Sequence, residues 1–296
     1  MKTTDLAGNI NKQTDGQFKQ GAIVKTQTTS IRVKSDFPFF AVMGVMASTY
    51  VILIVGMVLA DLTFTSPVHI LNALKSEEIR YAIKLSLFSC TITMILSLLV
   101  ATPFGYLMAR YRFPGKKLLD AILDIPIILP PLVIGLSLLI LFQTAPGKFI
   151  EEYISVTYAI PSVILAQFMV ACAFAVRTMY VTFAQIDKRQ EEVALTLGCN
   201  RSQAFWHVVL PEAKRGMLTA ASLAWARALG EFGPILLFSG ATRMRTEVLP
   251  TTVFLEMSVG NIEAAVAVSL IMIVAGFAVL MLVRMLGKEQ AETPVW

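Results

Sequence analysis

The sequence predicts an all-α integral membrane protein with six transmembrane helices. Three observations predict it. Hydrophobic residues make up 56% of the 296 positions and charged residues only 15%, whereas a soluble domain is nearer a quarter charged. Mean hydropathy is +0.69. Six stretches meet or approach the roughly 20 apolar residues that a membrane-spanning helix needs. They are Phe37–Ala60, Leu85–Ala109, Ile125–Gly147, Ser155–Val176, Gly216–Phe238 and Ala264–Val283, and all but the fifth are free of charge. Backbone groups cannot stay unpaired in hydrocarbon, so each stretch is expected to be helical.

In chain order, residues 1–36 are polar and rich in Thr, Gln and Lys. They have no apolar run of the kind a cleaved signal peptide carries. The expectation is a flexible cytoplasmic tail, with a short ordered piece at residues 31–33, followed by a first span that acts as an uncleaved anchor. Residues 37–286 form one six-span membrane domain, and residues 287–296 a short cytoplasmic C-terminus. No tandem repeat and no second domain is visible.

Orientation follows from Lys and Arg in the connections. Of the 25 such residues, eighteen fall in the tail, the second-to-third connection, the fourth-to-fifth connection and the C-terminus. Six fall on the other side, and Arg227 lies inside the fifth span. The bias puts both termini in the cytoplasm. The net charge of +5 is therefore mostly orientation bias and does not indicate a nucleic-acid partner; lipid is the expected surround. A multi-pass topology is expected.

The connections differ in character. Over 61–84, Ile70, Leu71, Leu74 and Ile79 have helical spacing, so a short outer helix is expected. Lys148–Ile154 reads as a short outer link. The 239–263 connection holds Pro250 followed by Val253, Phe254, Leu255 and Met257, a half-buried outer helix. At the start of the third span, Pro126, Pro130 and Pro131 cannot all sit in a helix interior without loss of backbone bonds. They suit an irregular entry and a helix from about Pro131. That entry lines a pore or is simply a proline-started helix. In the fifth span, Arg227 and Glu231 are four apart and share a helix face. Ionisable groups in a span face protein or water. The pair lies at a translocation path or subunit interface, or else fixes helix packing within the chain. Gly230, Gly233 and Pro234 loosen the helix there. Pro130, Pro131, Ser137, Ser222, Arg227, Glu231 and Gly233 are the candidate path or gate residues.

The segment 191–211 reads EEVALTLGCNRSQAFWHVVLP. It is polar, rich in helix formers and lodged between two apolar segments. Residues 187–197 lack helix breakers, and Gly198 stands where a C-cap glycine belongs. Asn200 can cap a second short helix, with Gln203 three residues later as in a capping box. Two short helices bent at a glycine make a docking element for another protein. A solvated linker would account for the charges, but not for the caps, the glycine and Phe205-Trp206 together.

Other classes fit poorly. The chain has no G-x-x-x-x-G-K-[ST] loop, so it is not itself an ATPase. The only histidines, His69 and His207, lie in connections, and no nucleophile–base set or metal-ligand set is evident in the spans. No catalytic or metal residue is assigned. Cys90, Cys172 and Cys199 form no disulfide pattern. A secondary transporter usually shows inverted repeats or a set of ion-pathway carboxylates, and neither is visible.

These residues resemble the Glu-Ala-Ala loop of binding-protein-dependent ABC importers. Glu192-Val193-Ala194 is followed by three residues and Gly198, then nine residues to Val208, one more, and Leu210-Pro211. The departures from that family's pattern are Val193 for Ala and Val208 for Ile. The run from Trp225 to Gly233, the prolines at 126, 130 and 131, and Thr246 to Pro250 resemble the molybdate/tungstate and sulfate permease group. The similarity covers residues 37 to 286 and is closest to molybdate/tungstate permeases. The resemblance implies the type I ABC importer permease fold and a dimer, most simply of two copies of this chain. Two separate ATP-binding cassette subunits would bind the ATP and magnesium, and this chain would bind no cofactor. An extracytoplasmic oxyanion-binding protein would deliver molybdate, tungstate or, in the alternative, sulfate or thiosulfate. The loop residues implied in coupling to the ATPase are Glu192, Ala194, Leu197, Gly198, Arg201, Ala204, Leu210 and Pro211.

Overall fold

The computed structural model describes residues 37–289, and every regular element among them is helical. The expected tail at 1–36 and the last seven residues lie outside the described residues. The chain divides into two units at Ile54–Val55, inside the helix α1, Phe37–Phe64. The first unit is helical over residues 37–54.

The second unit, from Val55 onward, carries the remaining helices. After the end of α1 come α2 (Pro67–Lys75), α3 (Glu77–Arg110), α4 (Lys116–Ile128), α5 (Pro131–Gln143), α6 (Ala145–Tyr153) and α7 (Ile160–Gln185). There follow α8 (Lys188–Thr196), α9 (Arg201–Ala204), a π-helical turn Phe205–Val209, α10 (Leu210–Glu212), α11 (Lys214–Leu229), α12 (Gly233–Phe238), α13 (Leu249–Ser258) and α14 (Ile262–Glu289).

Among the described residues, four helices are long and apolar enough to cross a membrane: Phe39–Phe64, Glu77–Arg110, Ile160–Gln185 and Ile262–Val283. The third expected span is not one straight helix. Helices α4 and α5 meet at 111° across Leu129–Pro130 and make a fifth crossing only if the bent pair is counted as one. The cause is local. Pro130 and Pro131 both lack a donor, and a residue before proline is pushed into extended backbone; Leu129 and Pro130 have ψ of 140° and 135°. The break is shorter than the expected irregular entry, since α4 runs through Pro126 to Ile128. The fifth expected span is split too. Its helix α11 ends at Gly230, and α12 restarts at Gly233 with Pro234 in its first turn. Among the described residues, the third and fifth expected spans are thus interrupted helices and not continuous ones.

The connections expected on the outer side hold the two helices their sequences predict and one more. The 61–84 connection holds the end of α1, all of α2 and the start of α3, with a break at Ser76. The expected link Lys148–Ile154 is helical up to Tyr153, as part of the helix α6 that starts at Ala145 with a proline in its first turn. The proline-started helix after residue 248 is present as α13, buried at Leu249, Thr251, Thr252 and Glu256.

The core is built where α3, α7 and α11 pack on one another. One buried cluster includes Ala171, Ala175, Met179, Phe183, Ala220, Ala224 and Trp225. Small residues let the helices approach closely, as in membrane bundles generally. At Gly105 on α3 an added Cβ would lie 2.8 Å from the Met179 carbonyl carbon of α7. A second cluster joins α5, α7 and α12 through Ile134, Leu138, Val163, Val170, Ile235 and Phe238.

Candidate functional site

The loop between α7 and α11 follows its local signals closely. Asp187 caps α8 by accepting from the Arg189 amide at 3.0 Å. Gly198 has φ +92°, the left-handed conformation that glycine adopts without steric cost. Asn200 and Gln203 form a reciprocal capping box of 2.8 and 2.9 Å. The second helix does not stay short. It passes through the π turn, where Leu210 N–H bonds to Phe205 O, and continues through α10 to α11. Pro211 explains the π turn: it has no N–H for the His207 carbonyl, and its ring would clash there, so the register slips to i→i+5.

Glu192, Leu197, Gly198, Arg201 and Pro211 are exposed, and Leu210 is partly so. Ala194 and Ala204 are buried, so they pack inward and are not surface contact points. The apolar groups that face out are Val193, Leu197 (80% exposed) and Trp206 (61% exposed). Trp206 was legible only as a bulky aromatic in a polar stretch; its outward direction depends on the π turn.

The inner side of the loop is a polar knot. Tyr106 Oη donates to Glu191 Oε1 at 2.6 Å, and Arg110 Nε lies 3.3 Å from Glu191 Oε2. Arg110 Nη1 donates to the Ile186 carbonyl at 3.0 Å. Arg201 Nη1 donates to Tyr111 Oη at 2.8 Å, which raises the arginine's pKa. A cavity of ≈ 170 Å³ lies between these groups, lined by Arg110, Tyr111, Lys188, Glu191, Glu192, Leu195 and Arg201. It has room for water beside Arg110 Nη2, which is buried with no hydrogen-bond partner among the described residues. Glu191 and Ala194 are both buried; their three-residue spacing, which puts them on one helix face, is the signal the sequence carries for Glu191.

The two broken segments meet each other. Gly135 of α5 sits where a Cβ would be 2.7 Å from Pro234 Cα, and Gly233 where one would be 3.2 Å from Pro131 Cβ. Pro131 and Gly233 are thus brought together, while Pro130 and Ser137 are exposed. Arg227 Nη1 pairs with Glu231 Oε2 at 2.8 Å within the chain, and its guanidinium also lies 5.7 Å from the Phe174 ring centroid. Glu231 is 1% exposed. Ser222 donates to Leu218 O at 2.6 Å and lines an apolar groove of ≈ 540 Å³ along α11 and α14. Next to it, Arg177, Thr178, Thr182, Gln185, Arg215 and Thr219 line a groove of ≈ 530 Å³ between α7 and α11. Arg177 is held there by Asp120 at 2.6 Å and by Asp124. Neither this cluster nor the arginine's neighbours were apparent from spacing, because they join residues more than fifty positions apart.

At the opposite end, Arg243 bridges Glu78 at 2.6 Å and Glu256 at 2.9 Å. These groups, with His69, Asn261 and Glu263, line a cavity of ≈ 600 Å³. Burial lowers the Arg243 pKa, but the two carboxylates outweigh it and leave it raised. Glu247 is fully buried, and burial raises its pKa, only partly offset by the Thr252 hydroxyl 2.9 Å away.

Comparison with known proteins follows the same lines. Residues 101–291 match the family described as binding-protein-dependent transport system inner membrane component. The sulfate transport system permease protein CysT of Salmonella typhimurium is 30% identical over 221 residues, covering 74% of this chain and 80% of that protein. The molybdate/tungstate transport system permease protein WtpB of Thermococcus kodakarensis is 32% identical over 199 residues, covering 67% and 76%. Among solved structures, a chain of a bacterial alginate ABC transporter superposes with a TM-score of 0.70 at 15% identity, covering 88% of this chain and 97% of that one. A chain of the MetNI methionine ABC transporter does so with a TM-score of 0.57 at 16% identity, covering 72% and 98%. At those identities the likeness is one of fold.

Proposed function

The chain belongs to the binding-protein-dependent transport system inner membrane components, the permease subunits of ABC importers, and from that premise we propose that it carries a tetrahedral oxyanion dianion inward through a prokaryotic cytoplasmic membrane. Two copies would enclose the path. The 187–211 loop of each would dock on a separate ATP-binding subunit in the cytoplasm, and an extracytoplasmic binding protein would deliver the anion to the opposite end. Closure of the ATP-binding pair would then alternate the access of the path. The observation that carries this reading is the loop itself: capped, bent at Gly198, and presenting Val193, Leu197 and Trp206 outward. Exposed apolar groups on a polar loop favour a protein partner over water.

Molybdate or tungstate is the first reading of the cargo, from the resemblance of 225–233 and 246–250. Sulfate is the second, supported by the relative that aligns over 80% of its own length. A path with few charges suits transfer, because a deep binding well would slow release.

The test is uptake by proteoliposomes that hold the permease with its ATP-binding subunits and binding protein. Labelled molybdate, tungstate and sulfate are offered separately. ATP-dependent uptake that is insensitive to ionophores is expected, with one of the three anions preferred. Uptake that persists without ATP and collapses with an ionophore would make the chain an ion-coupled carrier instead.

A further inference from the structure

Of the three carboxylates in the loop, Asp187 and Glu192 are exposed and Glu191 is buried. Its partners are informative. Tyr106 and Arg110 both belong to the last turns of α3, whereas the loop is covalently joined to α7 and α11. The side chains of Arg110 and Glu191 are only 5% and 12% exposed. Tyr106 is clasped edge-on by Phe183 and Phe205, with ring centroids 5.7 and 4.8 Å away. An ion pair held in such surroundings is costly to separate, since each charge would be left buried and alone. Moving helix α8 away from the end of α3 would have to break that pair.

Helix α3 is also the longest helix among the described residues, with 34 residues, about 50 Å at 1.5 Å per residue. At its other end Glu78 pairs with Arg243, and Ser86 Oγ accepts from the Leu249 amide at 2.8 Å. This one helix, which carries Pro103 in its interior, thus joins the loop to the large polar cavity at the opposite end of the bundle. We propose that Glu191 is the positioning residue that passes displacement of the loop into α3, so that ATP-driven movement at Val193 and Leu197 reaches the end where Arg243 sits. This rests on the docking reading above. Glu191 would act through Arg110 and Tyr106, without touching the ATP-binding subunit or the anion.

The test uses the reconstituted full transporter and three readings: co-purification with the ATP-binding subunits, ATP hydrolysis, and anion taken up per ATP hydrolysed. Glu191→Gln keeps an acceptor for Tyr106 and removes the charge. It should assemble at wild-type yield and hydrolyse ATP, but uptake per ATP should fall at least about tenfold, and stimulation of hydrolysis by the loaded binding protein should be lost. Arg110→Lys should do the same, more mildly. Glu191→Asp, which keeps the charge, should recover part of the coupling. Unchanged uptake per ATP in both Glu191→Gln and Arg110→Lys overturns the proposal. Failure of both variants to bind the ATP-binding subunits also overturns it, because Glu191 would then serve docking and not transmission. Wild-type protein that shows no ATP-dependent uptake would instead sink the importer reading itself, which separates the two failures.

Discussion

Two regions of this chain interrupt their helices, and they do so in opposite ways. The loop at 187–211 interrupts with a glycine and two caps, and turns its irregular backbone and apolar side chains outward. The breaks at Leu129–Pro130 and Gly230–Phe232, the second beside the Arg227–Glu231 pair, fold onto each other, with Gly135 against Pro234 and Gly233 against Pro131. The first arrangement leaves a surface for a partner. The second satisfies itself within the chain, as irregular backbone at membrane depth must. The contrast teaches that a proline or glycine signal marks a break without telling what the break is for; the burial of its neighbours decides that.

The largest effect is expected at the self-satisfied breaks. Arg227→Met leaves Glu231 buried without its cation, which costs about 3–5 kcal/mol in such sites. Thermal unfolding of the purified permease should drop sharply, and Arg227→Met with Glu231→Gln should recover most of the loss. Equal behaviour of the single and double variants would mean that the pair does not hold the break.

A smaller effect is expected at the loop. Gly198→Ala must adopt a φ of +92°, which costs an L-residue roughly 1–2 kcal/mol. No atom lies within 4 Å of the added Cβ position in this chain, so the strain is purely backbone. Gly198→Asp adds a charge on the exposed face. It should lose uptake well beyond Gly198→Ala while unfolding at a similar temperature. If the two variants transport alike, the loop face does not meet a partner at Gly198.

The cap comes next. Asn200→Ala removes one half of the capping box and should cost about 1 kcal/mol, seen as faster amide exchange over 201–204 with little change elsewhere. The smallest effect is at Glu247. Its raised pKa means the folded state favours the protonated carboxyl, so its contribution is present below the ordinary carboxylate pKa and lost as pH rises through the folded value. Glu247→Gln, which stays neutral, should raise the unfolding temperature slightly at pH 7 and by nothing near pH 4. A drop at pH 7 would show that the ionised form is the one the fold prefers.

Much of the loop was legible because its signals are local. Asp187, Gly198, Asn200 and Gln203 act on backbone groups within three residues, and their geometry follows from residue type alone. The apolar stretches were legible for the same reason. What could not be read were tertiary choices. Pro130 and Pro131 mark a break, but their residue types alone do not give its angle of 111°. Ala194 and Ala204 match the motif yet turn inward, where α8 and α9 pack on each other and on the π-helical turn. Arg110 looked like one more orienting charge at the end of a span, and its partner Glu191 is some eighty residues away. The Arg177–Asp120–Asp124 cluster escaped notice for the same reason.

The central claim is that the outward face of the loop, and not its inward stripe, meets the ATP-binding subunit. Single cysteines at Val193, Leu197, Ala194 and Glu191, in a background where Cys90, Cys172 and Cys199 are replaced, test it most directly. A short thiol-to-amine crosslinker applied to the assembled transporter should join positions 193 and 197 to the ATP-binding subunit and leave 194 and 191 unjoined. Crosslinking at 191 and 194 that equals or exceeds that at 193 and 197 would contradict the account.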